Sequence, residues 1–297
     1  MTQRCGLVAV VGAPNAGKST LVNALVGQKV AIVSPKAQTT RVRLMGVALE
    51  GESQILLVDT PGIFEPRRRL DRAMVAAAWG GAQDADLMAL VIDAKTGITR
   101  RIEPLIETLK ERREPKLVIL NKVDVTAKEE LLALAVRLSE ALAPEAVFMV
   151  SAATGDGVAD LKADLAARVP EGPWHFPEDQ VSDATDRMLA AEVTREQIYL
   201  QLHAELPYAS AVETEKYEEH RDGSVTIHQQ ILVARDSQKA IVLGKRGARL
   251  KEIGSRARAE LAALLGRKVH LFLHVKVKAD WEEDRGLYRE IGLDWVD

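Results

Sequence analysis

The sequence is poor in cysteine, in aromatic residues and in long apolar runs, and these shortages exclude several classes of protein. Cys5 is the only cysteine among 297 residues, so no disulfide can form within the chain and a disulfide-stapled secreted domain is excluded. No uninterrupted apolar stretch approaches the roughly 18–20 residues that a membrane-spanning helix needs. Residues 1–6 lack a signal-peptide pattern, because the first apolar run passes directly into a glycine-rich loop. Together these absences predict a cytoplasmic protein.

Aromatic residues make up only 4% of the chain and the net charge is −3, and neither value suggests a nucleic-acid binder. The charge is unevenly distributed, however. Residues 235–278 contain twelve Lys or Arg and three acidic residues, a net charge of +9, which leaves −12 for the rest of the chain. Such asymmetry is typical of a surface that binds a polyanion. The alternative, solvated helix faces, would normally mix the two signs.

The length and the 47% content of hydrophobic residues are enough for about two domains. In the first part, short apolar runs alternate with helical patterns, which predicts an α/β domain with a mostly parallel sheet and helices on both faces. Three prolines between 170 and 177 then interrupt the helical pattern. We therefore predict a first domain at 1–172, a linker at 173–182 and a second domain at 183–297.

The second domain follows the order α-β-β-α-α-β, which predicts an α+β fold. A long helical stretch covers 183–205, a helix covers 248–265, and a strongly alternating strand covers 269–277. A short terminal helix is expected near 283–291.

A glycine-rich loop at 12–20 follows a strand-like run at 7–11 and leads into a helical pattern. This is the context in which a P-loop binds phosphates through its backbone N–H groups. Lys18 would reach the β- and γ-phosphates, and the Ser19 hydroxyl would bind Mg²⁺. We therefore predict a nucleoside-triphosphate site formed by Gly12, Ala13, Pro14, Asn15, Ala16, Gly17, Lys18, Ser19 and Thr20.

Asp59, Thr60, Pro61 and Gly62 end the third predicted strand, 41 residues after Lys18. The Asp59 carboxylate would hold Mg²⁺ through water, and the Gly62 N–H would contact a γ-phosphate. A plain Pro-Gly turn is the alternative for this segment taken alone. Thr40, in the polar segment before the second strand, would supply a hydroxyl ligand to the same ion. The predicted metal ligands are Ser19, Thr40 and Asp59.

Asn121, Lys122 and Asp124 close the fifth predicted strand. Asp124 can accept hydrogen bonds from N1–H and the N2 amine of guanine, whereas adenine would leave the carboxylate unpaired. An unpaired buried polar group discriminates by roughly 10⁴-fold or more. Asn121 would brace the P-loop, and the Lys122 stem would cover the base. After the sixth strand, a backbone N–H would reach guanine O6 from Ser151, Ala152 and Ala153.

Many GTPases place a glutamine directly after Asp-x-x-Gly to orient the attacking water, but here that residue is Ile63. We therefore predict slow unaided hydrolysis, about 10⁻⁴ to 10⁻² s⁻¹. The side-chain oxygen of Asn15 suggests a substitute, because it can help hold a K⁺ ion beside the phosphates. An internal arginine finger from 67–69 is an alternative, but exposed charge in a switch loop explains these residues better. The predicted catalytic residues are Asn15, Lys18, Thr40 and Gly62.

In the basic segment, Gly244 and Gly247 flank two cations between two predicted helices. Flanking glycines allow a nucleic-acid backbone to approach, and the helix N-terminus adds its dipole to the charges. A Gly-x-x-Gly loop in this order of elements is typical of KH domains, which clamp about four nucleotides. An ordinary helix–helix turn is the alternative. The predicted RNA-binding residues are Gly244, Lys245, Arg246, Gly247, Arg249 and Lys251.

Stacking partners for bases are scarce near this loop. The nearby aromatic residues are Phe272, Trp281 and Tyr288, and we expect all three to be packing residues. His270 and His274 have no cysteine or carboxylate at metal-ligand spacing, so we interpret them as ordinary strand residues. RNA recognition should therefore depend on backbone clamping and base-edge hydrogen bonds.

Taken together, these residues resemble the Era family of bacterial GTPases over almost the whole chain. The matching segments are 12–20, 36–41, 59–62, 121–124, 151–153, 175–179, 204–208, 231–233, 242–247 and 269–278, followed by Trp281. The resemblance implies a Ras-like GTPase domain followed by a type II KH domain that binds the 3′ end of 16S ribosomal RNA. It also implies a Mg²⁺-dependent GTP/GDP switch in assembly of the small (30S) ribosomal subunit, with peripheral inner-membrane association in some members. Ile63 fits the family, which has a hydrophobic residue there.

Two other functions stay open at this point. One is a GTPase switch whose output is a protein or membrane partner, although no basic amphipathic helix or lipidation motif supports membrane docking. The other is a nucleic-acid-modifying enzyme, which lacks a nucleophile or metal cluster in the second domain. We expect a monomer, because no heptad pattern is present.

Overall fold

The computed structural model describes residues 2–36, 38–64, 66, 68–100 and 102–296. Their contacts divide the chain into two compact units. Unit 1 comprises the chain up to Val33 together with Thr40–Asp183, and unit 2 comprises Ser34–Thr39 together with the chain from Ala184 onward. None of the helices in the described ranges is long and apolar enough to cross a membrane.

Unit 1 contains a six-stranded sheet in the order β2-β3-β1-β4-β5-β6. All neighbouring strands are parallel except β2 and β3, which pair as an antiparallel hairpin. The hairpin turns through Gly51, whose φ of 56° suits a tight two-residue turn. The strands are β1 (Arg4–Gly12), β2 (Leu44–Glu50), β3 (Ser53–Asp59), β4 (Leu87–Asp93), β5 (Lys116–Asn121) and β6 (Ala146–Val150).

Helices cover both faces of this sheet because its central strands are apolar on both sides. In β1, Val8 and Val10 belong to one buried core, and Ala9 and Val11 belong to a second core on the opposite face. Helices α1 and α5 contribute to the first core, and α3 and α4 to the second. The helices are α1 (Lys18–Val26), α2 (Arg69–Ala82), α3 (Glu103–Glu111), α4 (Lys128–Leu142) and α5 (Val158–Arg168). Because these strands are parallel, their carboxyl ends meet at one edge of the sheet, where ligands bind in such folds.

The stretch predicted as a linker, 173–182, lies along the β2–β3 hairpin. The Trp174 indole N–H donates to the Glu52 carbonyl at 3.0 Å, and the backbone N–H groups of His175 and Phe176 donate to the Gln54 side chain. The two bonds to Gln54 satisfy backbone N–H groups in a proline-rich segment that has no helix of its own.

Unit 2 contains a three-stranded sheet in the order β7-β8-β9, antiparallel between β7 and β8 and parallel between β8 and β9. The elements are α6 (Asp186–Gln201), β7 (Ser210–Glu219), β8 (Val225–Val233), α7 (Asp236–Leu243), α8 (Ala248–Leu265), β9 (Val269–Val277) and α9 (Arg285–Glu290). The predicted bounds of α8 and β9 coincide with the observed ones. Helix α6 is shorter than the predicted 183–205, because Thr185 caps its start by accepting a hydrogen bond from the Met188 N–H and Leu202 is extended.

Candidate functional site

The P-loop joins the end of β1 to the start of α1 and is held by close contacts that only glycine permits. A Cβ atom on Gly12 would collide with the Val91 carbonyl, and one on Gly17 would collide with the Asn121 amide. Gly17 has a φ of 93° and has no side chain that could cap α1, so the first N–H groups of this helix can bind a ligand in the loop. The Lys18 ammonium, 5% exposed, donates to the carbonyls of Gly12 and Ala13 at 3.1 and 3.0 Å.

Three oxygen-bearing side chains meet beside the P-loop. The Ser19 hydroxyl donates to Asp59 Oδ2 at 2.6 Å and lies 2.8 Å from the Thr40 hydroxyl, which is itself 3.4 Å from the same carboxylate oxygen. Asp59 is fully buried at the end of β3, and its Oδ1 has no hydrogen-bond partner among the described residues. Such an orphaned carboxylate oxygen beside two hydroxyls fits a hard cation such as Mg²⁺.

Burial shifts both charged groups of this site towards their neutral forms. It raises the pKa of Asp59 to about 6, against the hydrogen bond from Ser19, the attraction of Lys18 and the hydrogen bond from Thr40. It lowers the pKa of Lys18 to about 8, against the attraction of Asp59. Both charged forms are therefore costly here, which is typical of a site that compensates them with a charged ligand.

A cavity of about 150 Å³ opens beside the loop, between the ends of β5 and β6. Asn121 links the P-loop to the segment after β6. Its amide N–H donates to the Ala16 carbonyl at 2.9 Å, and its Oδ1 accepts from the Ala152 N–H at 3.0 Å. The residues that line the cavity are Gly17, Thr20, Asn121, Lys122, Asp124, Val125, Ser151, Ala152 and Ala153. The structure thus brings the two segments that the sequence assigned to a guanine base together with the end of the P-loop.

Sequence reasoning missed Asp93, which fixes the Lys122 side chain. Lys122 has a left-handed backbone (φ 69°), and its ammonium donates to the Asn15 carbonyl at 2.8 Å and to Asp93 Oδ2 at 2.7 Å. The signal was present, because Asp93 ends β4 and pairs in register with Asn121. A carboxylate at the end of a neighbouring parallel strand is expected to reach the same edge of the sheet.

Gly62 lies against the P-loop, since an added Cβ would be 2.7 Å from the Pro14 backbone. The next residue, Ile63, donates its N–H to the Gly12 carbonyl at 3.1 Å and packs its side chain against an apolar core, so it cannot orient a water molecule. Arg68 is engaged with Asp71 at the start of α2. Arg67, considered as an arginine finger, lies outside the described residues. Asn15 is exposed in the loop with a φ of 65°.

In unit 2, the Gly-x-x-Gly segment is a tight turn between α7 and α8. Gly244, Arg246 and Gly247 have φ angles of 68°, 54° and 77°, and a Cβ on Gly244 would lie 2.7 Å from Arg249 Cβ. Lys245 and Arg246 are exposed and have no ion-pair partner in the part of the chain that the structure describes. Arg249 donates to the Ile241 carbonyl at 3.0 Å, and Lys251 is exposed one residue before Glu252.

Comparison with known proteins decides the family. A family model described as a 50S ribosome-binding GTPase matches residues 7–122, and a KH-domain model matches residues 205–282. GTPase Era of Erythrobacter litoralis is 60% identical over 297 residues, covering 99% of this chain and 98% of that protein. GTPase Era of Afipia carboxidovorans is 57% identical over 292 residues, covering 98% of this chain and 95% of that protein. The chain belongs to the Era GTPase family.

Two solved structures of the family resemble the fold over nearly its full length. One is Era in complex with MgGDPNP and nucleotides 1506–1542 of 16S ribosomal RNA, with 38% identity and a TM-score of 0.92 over 98% of this chain and 99% of that chain. The other is an Aquifex aeolicus Era variant bound to GDP·AlF4⁻, with 37% identity and a TM-score of 0.88 over the same shares. As expected from the motifs, the chain is a GTP-hydrolysing enzyme with a Ras-like domain followed by a KH domain.

Proposed function

We propose that this protein is a GTP-driven switch that binds 16S ribosomal RNA near its 3′ end through the KH domain and assists assembly of the small ribosomal subunit. The observation that carries the proposal is the Gly244–Gly247 turn, which exposes two cations without ion-pair partners in the described ranges, in a chain that also has a complete P-loop site. The family structure with a 16S ribosomal RNA segment supports the same assignment.

At the nucleotide site, Lys18 would transfer its hydrogen bonds from the Gly12 and Ala13 carbonyls to the phosphates, as P-loop lysines do. Ser19, Thr40 and Asp59 would hold Mg²⁺, which neutralises charge on the phosphates. The geometry supports this set because Asp59 Oδ1 has no hydrogen-bond partner among the described residues.

For the base, we propose that Asp124 binds guanine in the cavity that Asn121 holds open between the P-loop and Ala152. Lys122 is fixed by Asp93 and the Asn15 carbonyl, so its aliphatic stem is placed to cover the base at little cost in side-chain entropy. Gly62 would supply its N–H to the γ-phosphate, since it already lies against Pro14.

Hydrolysis should be slow without assistance, because Ile63 packs into an apolar core instead of orienting water. We propose that Asn15 helps to hold K⁺ as a charge-stabilising ion beside the phosphates. GTPase rates measured in K⁺ and in Na⁺ test this role, and equal rates would contradict it.

The test of RNA binding is the double charge reversal Lys245→Glu with Arg246→Glu. We expect loss of binding to a 16S ribosomal RNA 3′-end oligonucleotide, because two cations that would contact phosphates become repulsive. Affinity for GDP should be unchanged, which shows that the nucleotide site of unit 1 is intact, and an unchanged circular dichroism spectrum is the control for folding. Retained RNA binding would favour the other candidate function, a switch that acts on a protein or membrane partner.

Coupling between the two ligands is the second part of the proposal. A coupling free energy of about 1–3 kcal/mol between GTP and RNA corresponds to a 5–150-fold change in either affinity. Equal RNA affinity with GDP and with a non-hydrolysable GTP analogue would contradict the switch. We also propose a cytoplasmic, monomeric protein with domains at 1–172 and 183–297, and peripheral membrane association as a property to be tested by vesicle co-sedimentation.

A further inference from the structure

The outer face of the unit 2 sheet, on the side away from the helices, has an unusual composition along β9. Alternate residues of this strand, Leu271, Leu273 and Val275, pack into the cores beneath the helices. The intervening residues therefore lie on the other face. Together with the residue that precedes the strand, they are Lys268, His270, Phe272, His274 and Lys276. An aromatic residue thus lies between two imidazoles and two cations on one exposed strand.

Phe272 is not the packing residue that the sequence suggested. Phe272 is 54% exposed, whereas Trp281 and Tyr288 are 2% and 1% exposed and are packing residues as expected. Its ring stacks on the ring of His228, its register partner on β8, with centroids 4.8 Å apart and planes at 15°. The stack covers one face of the phenyl ring and leaves more than half of the residue in water.

The charges around this ring are cationic on the β9 side. Lys268 and Lys276 are exposed and have no ion-pair partner within the described part of the chain. The acidic residues on β7 are, by contrast, already engaged. Glu215 lies 3.6 Å from His274, Glu218 pairs with Lys216, Glu219 pairs with Arg267, and Glu213 accepts a hydrogen bond from Gln230.

The position of β9 connects this face with the Gly-x-x-Gly turn of the same unit. β9 is the terminal strand of the sheet, so its free edge borders both the outer face and the face on which α7 and α8 pack. Gly254 of α8 lies against Leu273, with an added Cβ 3.3 Å from its side chain. A strand of RNA held at the turn, which begins α8, would therefore meet the edge of β9 as it continues.

We propose that Phe272, backed by His228, is a stacking platform for a base of single-stranded RNA that extends beyond the Gly244–Gly247 turn, with Lys268 and Lys276 contacting its phosphates. The charge distribution favours RNA over a protein strand, because the cations flank an exposed ring and every nucleobase has a π-face that can continue the stack. This inference rests on the proposed RNA-binding function and adds a second contact region to it.

The inference makes a length-dependent prediction. The turn clamps about four nucleotides, so the platform should contribute only to longer RNA. The full-length protein is titrated against fluorescent four-nucleotide and ten-nucleotide RNAs from the 3′ end of 16S ribosomal RNA, and fluorescence anisotropy gives each dissociation constant. Phe272→Ala should weaken the ten-nucleotide complex by about 5- to 150-fold, the range for loss of one base–aromatic stack, and leave the four-nucleotide complex unchanged.

Two further variants separate stacking from general hydrophobicity. Phe272→Trp should restore affinity for the longer RNA, and Phe272→Leu should behave like Phe272→Ala because it has no π-face. Leu132→Ala is the matched control, since Leu132 is an exposed apolar residue of unit 1 (62% exposed) and its loss should change neither complex.

Equal affinity of wild type and Phe272→Ala for the longer RNA would overturn the platform while leaving the proposed function intact. An equal loss with both RNA lengths would overturn it as well, because the effect would then act through the turn or the fold. If the wild-type protein bound neither RNA, the proposed function itself would fail, and the platform with it.

Discussion

The nucleotide site of unit 1 and the basic turn of unit 2 place their charged groups in opposite environments. In the nucleotide site, Lys18 and Asp59 are buried, Lys18 donates to the Gly12 carbonyl, and Asp59 accepts from the Ser19 hydroxyl. At the turn, Lys245 and Arg246 are exposed and have no ion-pair partner in the described ranges. Buried, preorganised groups discriminate strongly between ligands, whereas exposed cations supply salt-dependent affinity with little selectivity. The difference fits a site that must select one nucleotide and a surface that must hold a flexible polyanion.

The largest effect should come from removing the buried cation of unit 1. We expect Lys18→Ala to lower GTP turnover by about 10²–10³-fold, the usual result of deleting one preorganised donor to developing charge. Single-turnover GTP hydrolysis measures it. Lys110→Ala is the matched control, because Lys110 is an exposed lysine paired with Glu107 far from the loop in sequence. If both variants retained the wild-type rate, Lys18 would have no role in catalysis.

A smaller effect is expected from titrating Asp59. Its pKa is raised to about 6, so it is mostly ionised at pH 7 and mostly protonated at pH 5. A metal ligand must lose its proton, so Mg²⁺ affinity should fall by about tenfold between pH 7 and pH 5. Magnesium titrations of the GDP complex at the two pH values measure this change.

Asp59→Asn provides the control for that titration. The amide cannot ionise, so the variant should bind Mg²⁺ weakly and with a flat dependence over the same pH range. The folding free energy of the apo protein should change in the opposite direction to the Mg²⁺ affinity: a raised carboxyl pKa means that the folded protein binds the proton more tightly, so stability falls as the pH rises from about 4 to 6. A Mg²⁺ affinity in wild type that is independent of pH would contradict the assignment of Asp59 as a ligand.

The smallest predicted effect concerns salt and unit 2. Lys245→Ala with Arg246→Ala removes two proposed phosphate contacts, so the slope of log affinity against log salt should become less steep by about 1.4 for single-stranded RNA. When salt is raised fourfold, from 50 to 200 mM, the fold-loss of RNA affinity in the variant should then be about seven times smaller than the fold-loss in wild type. GDP affinity should show no such change in slope. An unchanged RNA slope would mean that these cations do not contact phosphates.

Much of the fold and the order of its motifs could be predicted from the sequence, because the signals are local. The apolar run at 7–11, the glycines of the loop at 12–20 and the helical pattern after the loop predict a strand, a loop and a helix from adjacent residues alone. The bounds of α8 and β9 were predicted correctly for the same reason: helical and alternating periods are properties of one contiguous segment.

Contacts between segments distant in the chain could not be read in this way. The pairing of Lys122 with Asp93 depends on two parallel strand ends meeting, and the two hydrogen bonds of Asn121 join loops more than a hundred and about thirty residues away in sequence. The grouping of Ser34–Thr39 with unit 2, where the Tyr199 hydroxyl donates to the Gln38 carbonyl at 3.3 Å, had no sequence signal.

By itself, therefore, the sequence determined which chemistry the chain carries: a phosphate loop, a guanine-recognition motif and a cationic turn, each encoded within a few consecutive residues. Only the tertiary structure decided which groups are buried and which are exposed. It buried Asp59 and Lys18 in one site, and this burial raises the pKa of Asp59 and lowers the pKa of Lys18. It also placed Phe272 on the outer face of a terminal strand, because the pleat that buries Leu271 and Leu273 turns the residue between them to solvent.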